Sequence, residues 1–135
     1  MPLRYLLDTN IISDLVRRPG GIVGARIADV GEDSICTSTV VAAELRYGAA
    51  KSRSKQLSER VGLLLSALEI LPLEPPADQR YAEIRHHLAR RGTPIGPNDL
   101  LIAAHALAAD LTLITANTRE FERVPSLRVE NWLLE

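Results

Sequence analysis

The chain reads as an α/β protein built on a central parallel sheet. Two observations predict this. Short apolar runs of strand length alternate with stretches of helical periodicity, and the links between them are short. That pattern is the signature of strands laid side by side with helices covering both faces. No repeat, low-complexity tract or long linker interrupts it, and 135 residues fit one domain spanning 1–135.

The elements follow in order. Residues 4–8 form a short buried strand ending in the carboxylate of Asp8. Residues 10–17 are helical until Arg18-Pro19-Gly20-Gly21 breaks them. Residues 22–30 make a second short helix and residues 34–37 a strand. Ser38 or Thr39 can cap the next helix, which is predicted to run to Tyr47 with Gly48 near its end. Leu57, Val61, Leu64, Leu65 and Leu68 fall on one helical stripe. Residues 69–73 are the next strand, closed by Pro72 and Pro75-Pro76. Tyr81, Ile84 and Leu88 mark the core face of a helix whose other faces are charged. The rigid segment 92–97 leads into another helix, and Pro97 suits its first turn. Over residues 100–109 that helix is apolar almost all round, interrupted only by His105, as expected of a helix covered on both sides. Residues 111–115 are a strand and residues 127–129 a last, edge strand.

Composition excludes several classes. Hydrophobic residues make up 46% and charged residues 24%, with a net charge of −1. That supplies one core but no bulk electrostatic attraction for nucleic acid. The longest uncharged apolar stretch, residues 100–109, is too short for a bilayer, and the start of the chain lacks the pattern of a signal peptide. Cys36 is the only cysteine, so an intrachain disulfide is excluded and an inert core thiol in a reducing, cytoplasmic compartment is expected. The basic residues are arginines apart from Lys51 and Lys55. With Phe121, Trp132 and three tyrosines, a broad base-stacking platform is not expected.

Acidic residues carry the chemistry. In open parallel sheets ligands bind beyond the carboxyl ends of the strands, where strand order reverses. Asp8 ends the first strand, and Thr115 ends a later one that leads into Ala116-Asn117-Thr118-Arg119-Glu120. If the two strands are neighbours, these residues meet. Asp8 alone reads equally well as the cap of the following helix. Glu44 has Val40, Val41, Tyr47 and Gly48 as its helical neighbours, an apolar face where a carboxylate needs compensation. By spacing alone, an ion pair with Arg46 or Arg4 is the simpler account. Asp99, after Asn98 in the first turn of the apolar helix, equally suits the helix dipole. Taken together, three carboxylates at one site repel each other, and a hard divalent cation removes the conflict. Mg²⁺ or Mn²⁺ held there can activate water against a phosphate. No histidine or cysteine cluster has zinc-ligand spacing; His86, His87 and His105 read as structural. Phosphate-binding glycine loops and serine-nucleophile motifs are absent.

Leu6-Leu7-Asp8-Thr9-Asn10, Ala43-Glu44-Leu45-Arg46-Tyr47-Gly48, Asn98-Asp99 with the following Leu101-Ile102-Ala103-Ala104-His105-Ala106, and Leu113-Ile114-Thr115-Ala116-Asn117 resemble, in order, the four signature blocks of VapC-type PIN domains. The resemblance covers essentially the whole chain. It implies a PIN-like three-layer α/β/α sandwich, a Mg²⁺ or Mn²⁺ site and endoribonuclease activity as the toxin of a type II toxin–antitoxin module. Asp8, Glu44 and Asp99 match the family's three characteristic acidic positions. A fourth acidic position falls on Glu120, whose longer side chain leaves open whether it ligates directly or through water. Thr9, Asn10, Asn98, Thr115 and Asn117 support the site. The resemblance further implies a homodimer and a small VapB-like antitoxin partner. A structured RNA such as a transfer RNA is compatible with the few aromatics.

Other functions were weighed on the same residues. An aspartyl-phosphate phosphatase needs a second aspartate two positions after the first, where this chain has Asn10. A phosphate-receiver domain needs an acidic pair near the first strand, which is missing. A non-catalytic PIN scaffold binding RNA or protein is expected to lose acidic positions, and this chain keeps the central three.

Overall fold

Five parallel strands form the centre: β1 (Tyr5–Leu7), β2 (Ile35–Ser38), β3 (Glu69–Leu71), β4 (Thr112–Ile114) and β5 (Val129–Glu130), in the spatial order β3-β2-β1-β4-β5. A computed structural model describes residues 2–134. Strand order reverses at β1, which pairs with β2 on one side and β4 on the other. Tyr5, Leu6 and Leu7 are all buried, because a central parallel strand has helices over both faces and no solvent side.

Helices α1 (Thr9–Arg17), α2 (Ile22–Val30), α3 (Thr39–Ser52), α4 (Lys55–Ala67), α5 (Ala77–Arg90), α6 (Pro97–Ala108) and α7 (Thr118–Phe121) fill the connections. This is the α/β/α sandwich predicted for the family. Leu6, Ile11, Leu65, Leu88, Ile102, Leu113 and Phe121 are each sealed from solvent in one core. No helix among the described residues is long and apolar enough to cross a membrane.

Several boundaries differ from the sequence reading, each for a physical reason. Helix α3 does not stop near Gly48 but runs to Ser52 and leaves through Arg53 at φ 58°. Gly48 is exposed, where a glycine inside a helix costs only about 1 kcal/mol. Ser38 is the cap, accepting from the Val40 amide, while the Thr39 hydroxyl donates to Leu71 O in β3. Strand β3 ends at Leu71 because Pro72 has no N–H to extend the ladder. The edge strand β5 lies at Val129–Glu130, offset from residues 127–129. A 3-10 turn at Glu32–Ser34 and the short α7 were not predicted.

Two single residues behave as expected. Cys36 is buried with its Sγ 3.4 Å from Tyr5 O, and burial pushes its thiol up to about 12, well out of the reactive range. His105 lies in the core with Nδ1 2.8 Å from Ser38 Oγ, and burial lowers its pKa. Helix α6 is largely covered by its own chain: Leu100 and Ile102 to Ala106 are buried, and only Leu101 and Leu107 among its leucines stay half-exposed.

Candidate active site

The strand reversal at β1 opens a crevice at the carboxyl end of the sheet, and Asp8 is the first residue beyond β1. Its amide donates to Ile114 O of β4 at 2.8 Å, which ties the ends of the two strands together. Its Oδ1 accepts from the Thr9 amide at 2.8 Å and its Oδ2 accepts from the Thr115 hydroxyl at 2.7 Å. The two readings of Asp8 therefore hold at once: it caps α1 and faces the crevice. It is only 4% exposed. Burial raises its pKa above the ordinary carboxylate range, Glu44 and Glu120 add to the rise, and the two hydrogen bonds offset part of it.

Glu44 makes no pair with Arg46 or Arg4. Arg46 is exposed, and the Arg4 guanidinium lies 4.9 Å from the ring centre of Tyr5. Instead the Thr9 hydroxyl donates to Glu44 Oε1 at 2.6 Å and Asn98 Nδ2 donates to Oε2 at 3.2 Å. The helical face expected to be apolar is split: Val41 is fully buried, Val40 half-buried, and Tyr47 68% exposed, with Glu44 half-buried between them.

Asp99 enters from the first turn of α6, where Pro97 at the helix start fixes the approach. Its carboxyl is pushed up to about 7, first by burial and then by the charges of Glu120, Asp8 and Glu44. Glu120, on α7, is the largest of the charges that raise Asp99. Its Oε1 accepts from the Gly96 amide at 3.1 Å, and its Oε2 accepts from Asn117 Nδ2.

All five supporting residues contact this constellation or hold its loops. Thr9, Asn98, Thr115 and Asn117 donate to the carboxylates as above. Asn10 Oδ1 accepts from the Ala116 amide at 3.0 Å, pinning the loop after β4 to α1. The Asn117 amide in turn donates to Thr115 Oγ1 at 3.0 Å. Sequence reasoning missed the Gly96 amide and two residues lining the cleft, Ser13 and Arg17. A signal was there: Asn10, Ser13 and Arg17 recur at i, i+3 and i+7, one face of α1.

The cleft lined by Asp8, Glu44, Asp99 and these α1 residues has a volume of about 410 Å³. None of the ion pairs among the described residues involves its carboxylates; those pairs join Arg18 to Asp14, Arg80 to Glu83 and Arg128 to Asp110. Among the described residues, no three acidic, histidine or cysteine side chains are drawn together closely enough to hold an ion as they stand. The oxygens of Asp8, Glu44 and Glu120 are taken up by the hydrogen bonds just named. The donor set nonetheless suits a hard cation: the carboxylates offer oxygen donors, none of them is in an ion pair, and no thiol or imidazole lines the cleft.

The family model of the PIN domain matches residues 5–127. The chain is 39% identical over 130 residues to Ribonuclease VapC2 of Rickettsia felis, covering 95% of this chain and 97% of that one. It is also 39% identical over 134 residues to the tRNA(fMet)-specific endonuclease VapC of Shigella flexneri, covering 96% and 98%. Among solved structures, the crystal structure of VapBC2 from Rickettsia felis bound to a DNA fragment from their promoter contains a similar chain. That chain superposes with a TM-score of 0.90 at 38% identity, over 98% of this chain and 99% of that one.

Proposed function

The chain belongs to the PIN-domain family, and from that premise we propose that it is a Mg²⁺- or Mn²⁺-dependent endoribonuclease, the toxin of a toxin–antitoxin pair. The observation that carries this reading is the placing of Asp8, Glu44 and Asp99, from three different elements, around one cleft at the strand reversal, none of them in an ion pair. Burial first, and the neighbouring acids after it, raise the pKa of Asp8 and Asp99, and carboxyls perturbed in this way gather where chemistry needs them.

Asp8 and Asp99 are the residues suited to hold the cation, with Glu44 ligating it or orienting the attacking water and Glu120 acting beside Asp99. A cation bound there supplies a water of lowered pKa and charge stabilisation on the phosphate. The chain's own part is positioning. Thr115 and the Thr9 amide fix the Asp8 carboxylate. Thr9 and Asn98 hold Glu44 from two sides, so its oxygens keep their aim. The Gly96 amide and Asn117 restrain Glu120. Arg17 brings a positive charge into the cleft lining, toward the phosphate backbone of a bound strand.

The substrate class is a structured RNA such as a transfer RNA, in line with the name of the Shigella flexneri relative. A small antitoxin is the partner, as in the VapBC complex. A homodimer is part of the same reading: Leu101 and Ala104 of α6 line an open groove of about 320 Å³ with Leu73, Ala77 and Tyr81, apolar surface that a second copy covers. Light scattering at micromolar concentration reads the mass of two chains if this holds, and of one if it does not. The enzymatic reading is tested by incubating purified protein with total cellular RNA, with chelator and with Mg²⁺, and mapping the new ends. Discrete new ends in Mg²⁺ alone are expected. Intact RNA in both Mg²⁺ and Mn²⁺ would leave a non-catalytic scaffold.

A further inference from the structure

The two walls of the cleft are unlike. The α1 wall is polar, formed by Asn10, Ser13 and Arg17. On the other side Glu44 also borders a second depression, of about 570 Å³, which Asn98 shares. Val40, Ala43 and Tyr47 form its floor, at the same i, i+3, i+7 spacing on α3, and Pro72 and Leu73 form its far side. Tyr47 on this stripe is 68% exposed, while Leu73 stands on the rim shared with the apolar groove assigned to the second copy. The other aromatic side chains are buried or half-buried, so Tyr47 is the aromatic face turned to solvent.

We propose that this slot receives a nucleobase next to the scissile phosphate, with Tyr47 as the stacking platform. The inference rests on the ribonuclease reading and deepens it. A strand whose phosphate lies at the carboxylates must place its adjoining base within one nucleotide of Glu44. One side of the cleft offers hydroxyl, amide and guanidinium groups suited to the sugar–phosphate backbone. The other offers an exposed phenol ring beside aliphatic side chains, suited to the face of a base, with Asn98 and Thr39 as polar groups in the same lining. Tyr47 lies one helical turn from Glu44, so a base stacked there sets the register in which the phosphate meets the carboxylates. Stacking on a single ring is tolerant of base identity; it fixes position more than sequence.

The test uses an RNA oligonucleotide with one mapped cleavage site and variants carrying an abasic ribose at each flanking position, cut by wild type, Tyr47→Phe and Tyr47→Ala. For Tyr47→Ala, kcat/KM is expected to fall on the order of tenfold to a hundredfold, mainly through KM. Tyr47→Phe, which keeps the ring, is expected to stay near wild type. One abasic position should cost wild type a similar factor and cost Tyr47→Ala almost nothing more. Three results overturn the slot: Tyr47→Ala cutting like wild type, its loss multiplying with the abasic loss at every position, or Tyr47→Ala changing the particle mass in light scattering, which makes the stripe a protein contact. Failure of wild type to cut any RNA in Mg²⁺ or Mn²⁺ instead removes the ribonuclease reading on which the slot depends.

Discussion

Both ends of the sheet carry acidic residues around an opening, yet they are built differently. At the amino end, Glu32, Asp33 and Glu69 border a cavity of about 870 Å³, twice the volume of the cleft at the carboxyl end. All three are exposed, and among the described residues none of their carboxylates receives a hydrogen bond or ion pair. At the carboxyl end the opening is smaller, but Asp8 is sealed and Asp99 and Glu120 are half-buried. Each of Asp8, Glu44 and Glu120 is held by at least two donors. Cavity size and acid count therefore do not mark the site. Carboxylates kept out of water, uncompensated and aimed by neighbours, do mark it, because holding them so costs free energy.

The largest expected effect separates the two ends outright. Asp8→Asn and Asp99→Asn are each expected to lower the single-turnover cleavage rate by about 1,000-fold or more. Asp33→Asn and Glu69→Gln, at the larger cavity, should stay within about twofold. Comparable losses at both ends would erase the distinction.

The next effect is on stability without metal. Asp99 has its pKa raised from the unfolded value of 3.8 to about 7, so between these limits the folded state binds more protons than the unfolded state. Stability in chelator should therefore fall as pH rises through that window, with the full penalty present above about pH 7. Asp8 is shifted in the same direction. Asp99 is half-exposed, and solvent screening reduces its share to about 1 kcal/mol. Denaturant melts at pH 5 and pH 8 should show this loss in wild type and a smaller one in Asp99→Asn. Stability that rises over the same window would mean the carboxylates are stabilised as anions.

The smallest effect concerns Arg17, the cation of the polar wall. Arg17→Ala is expected to raise KM a few-fold and to reduce the slope of log affinity against log salt by about one, the signature of one lost phosphate contact. An unchanged salt slope would place Arg17 outside the path of the strand.

Much of the carboxyl-end constellation was legible in the sequence, the amino-end acids were not read at all, and the rest failed for identifiable reasons. The strand ends that carry Asp8 and Thr115, and the proline-led first turn that carries Asp99, are set by local chemistry, so their convergence followed once β1 and β4 were neighbours. The surroundings of Glu44 were not legible, because helical spacing gives the face of α3 but not what packs on it; that face proved to be buried at Val41 and open at Tyr47. Asp8 posed a choice between cap and site residue, and the two are compatible: its Oδ1 accepts from the Thr9 amide at the start of α1 while the residue lines the cleft. Replacing it therefore changes two quantities of opposite sign, a cap and a charge. Asp99 makes no cap hydrogen bond; its other role is the favourable place of a negative charge in the first turn of α6, a contribution of about 0.3–1 kcal/mol that opposes the repulsion. Ser13 and Arg17 were visible only as a helical face without an assigned partner.

The central claim is that these carboxylates form one charged site that a divalent cation relieves. Thermal melts of wild type and Asp99→Asn at pH 8, each in chelator and in Mg²⁺, test it most directly. Removing one charge should leave Asp99→Asn melting at or above the wild-type temperature in chelator. Mg²⁺ should raise wild type more than the variant, because a ligand that binds only the folded state stabilises it according to its affinity. An Asp99→Asn protein that melts clearly lower in chelator, with the same response to Mg²⁺ as wild type, would contradict the account.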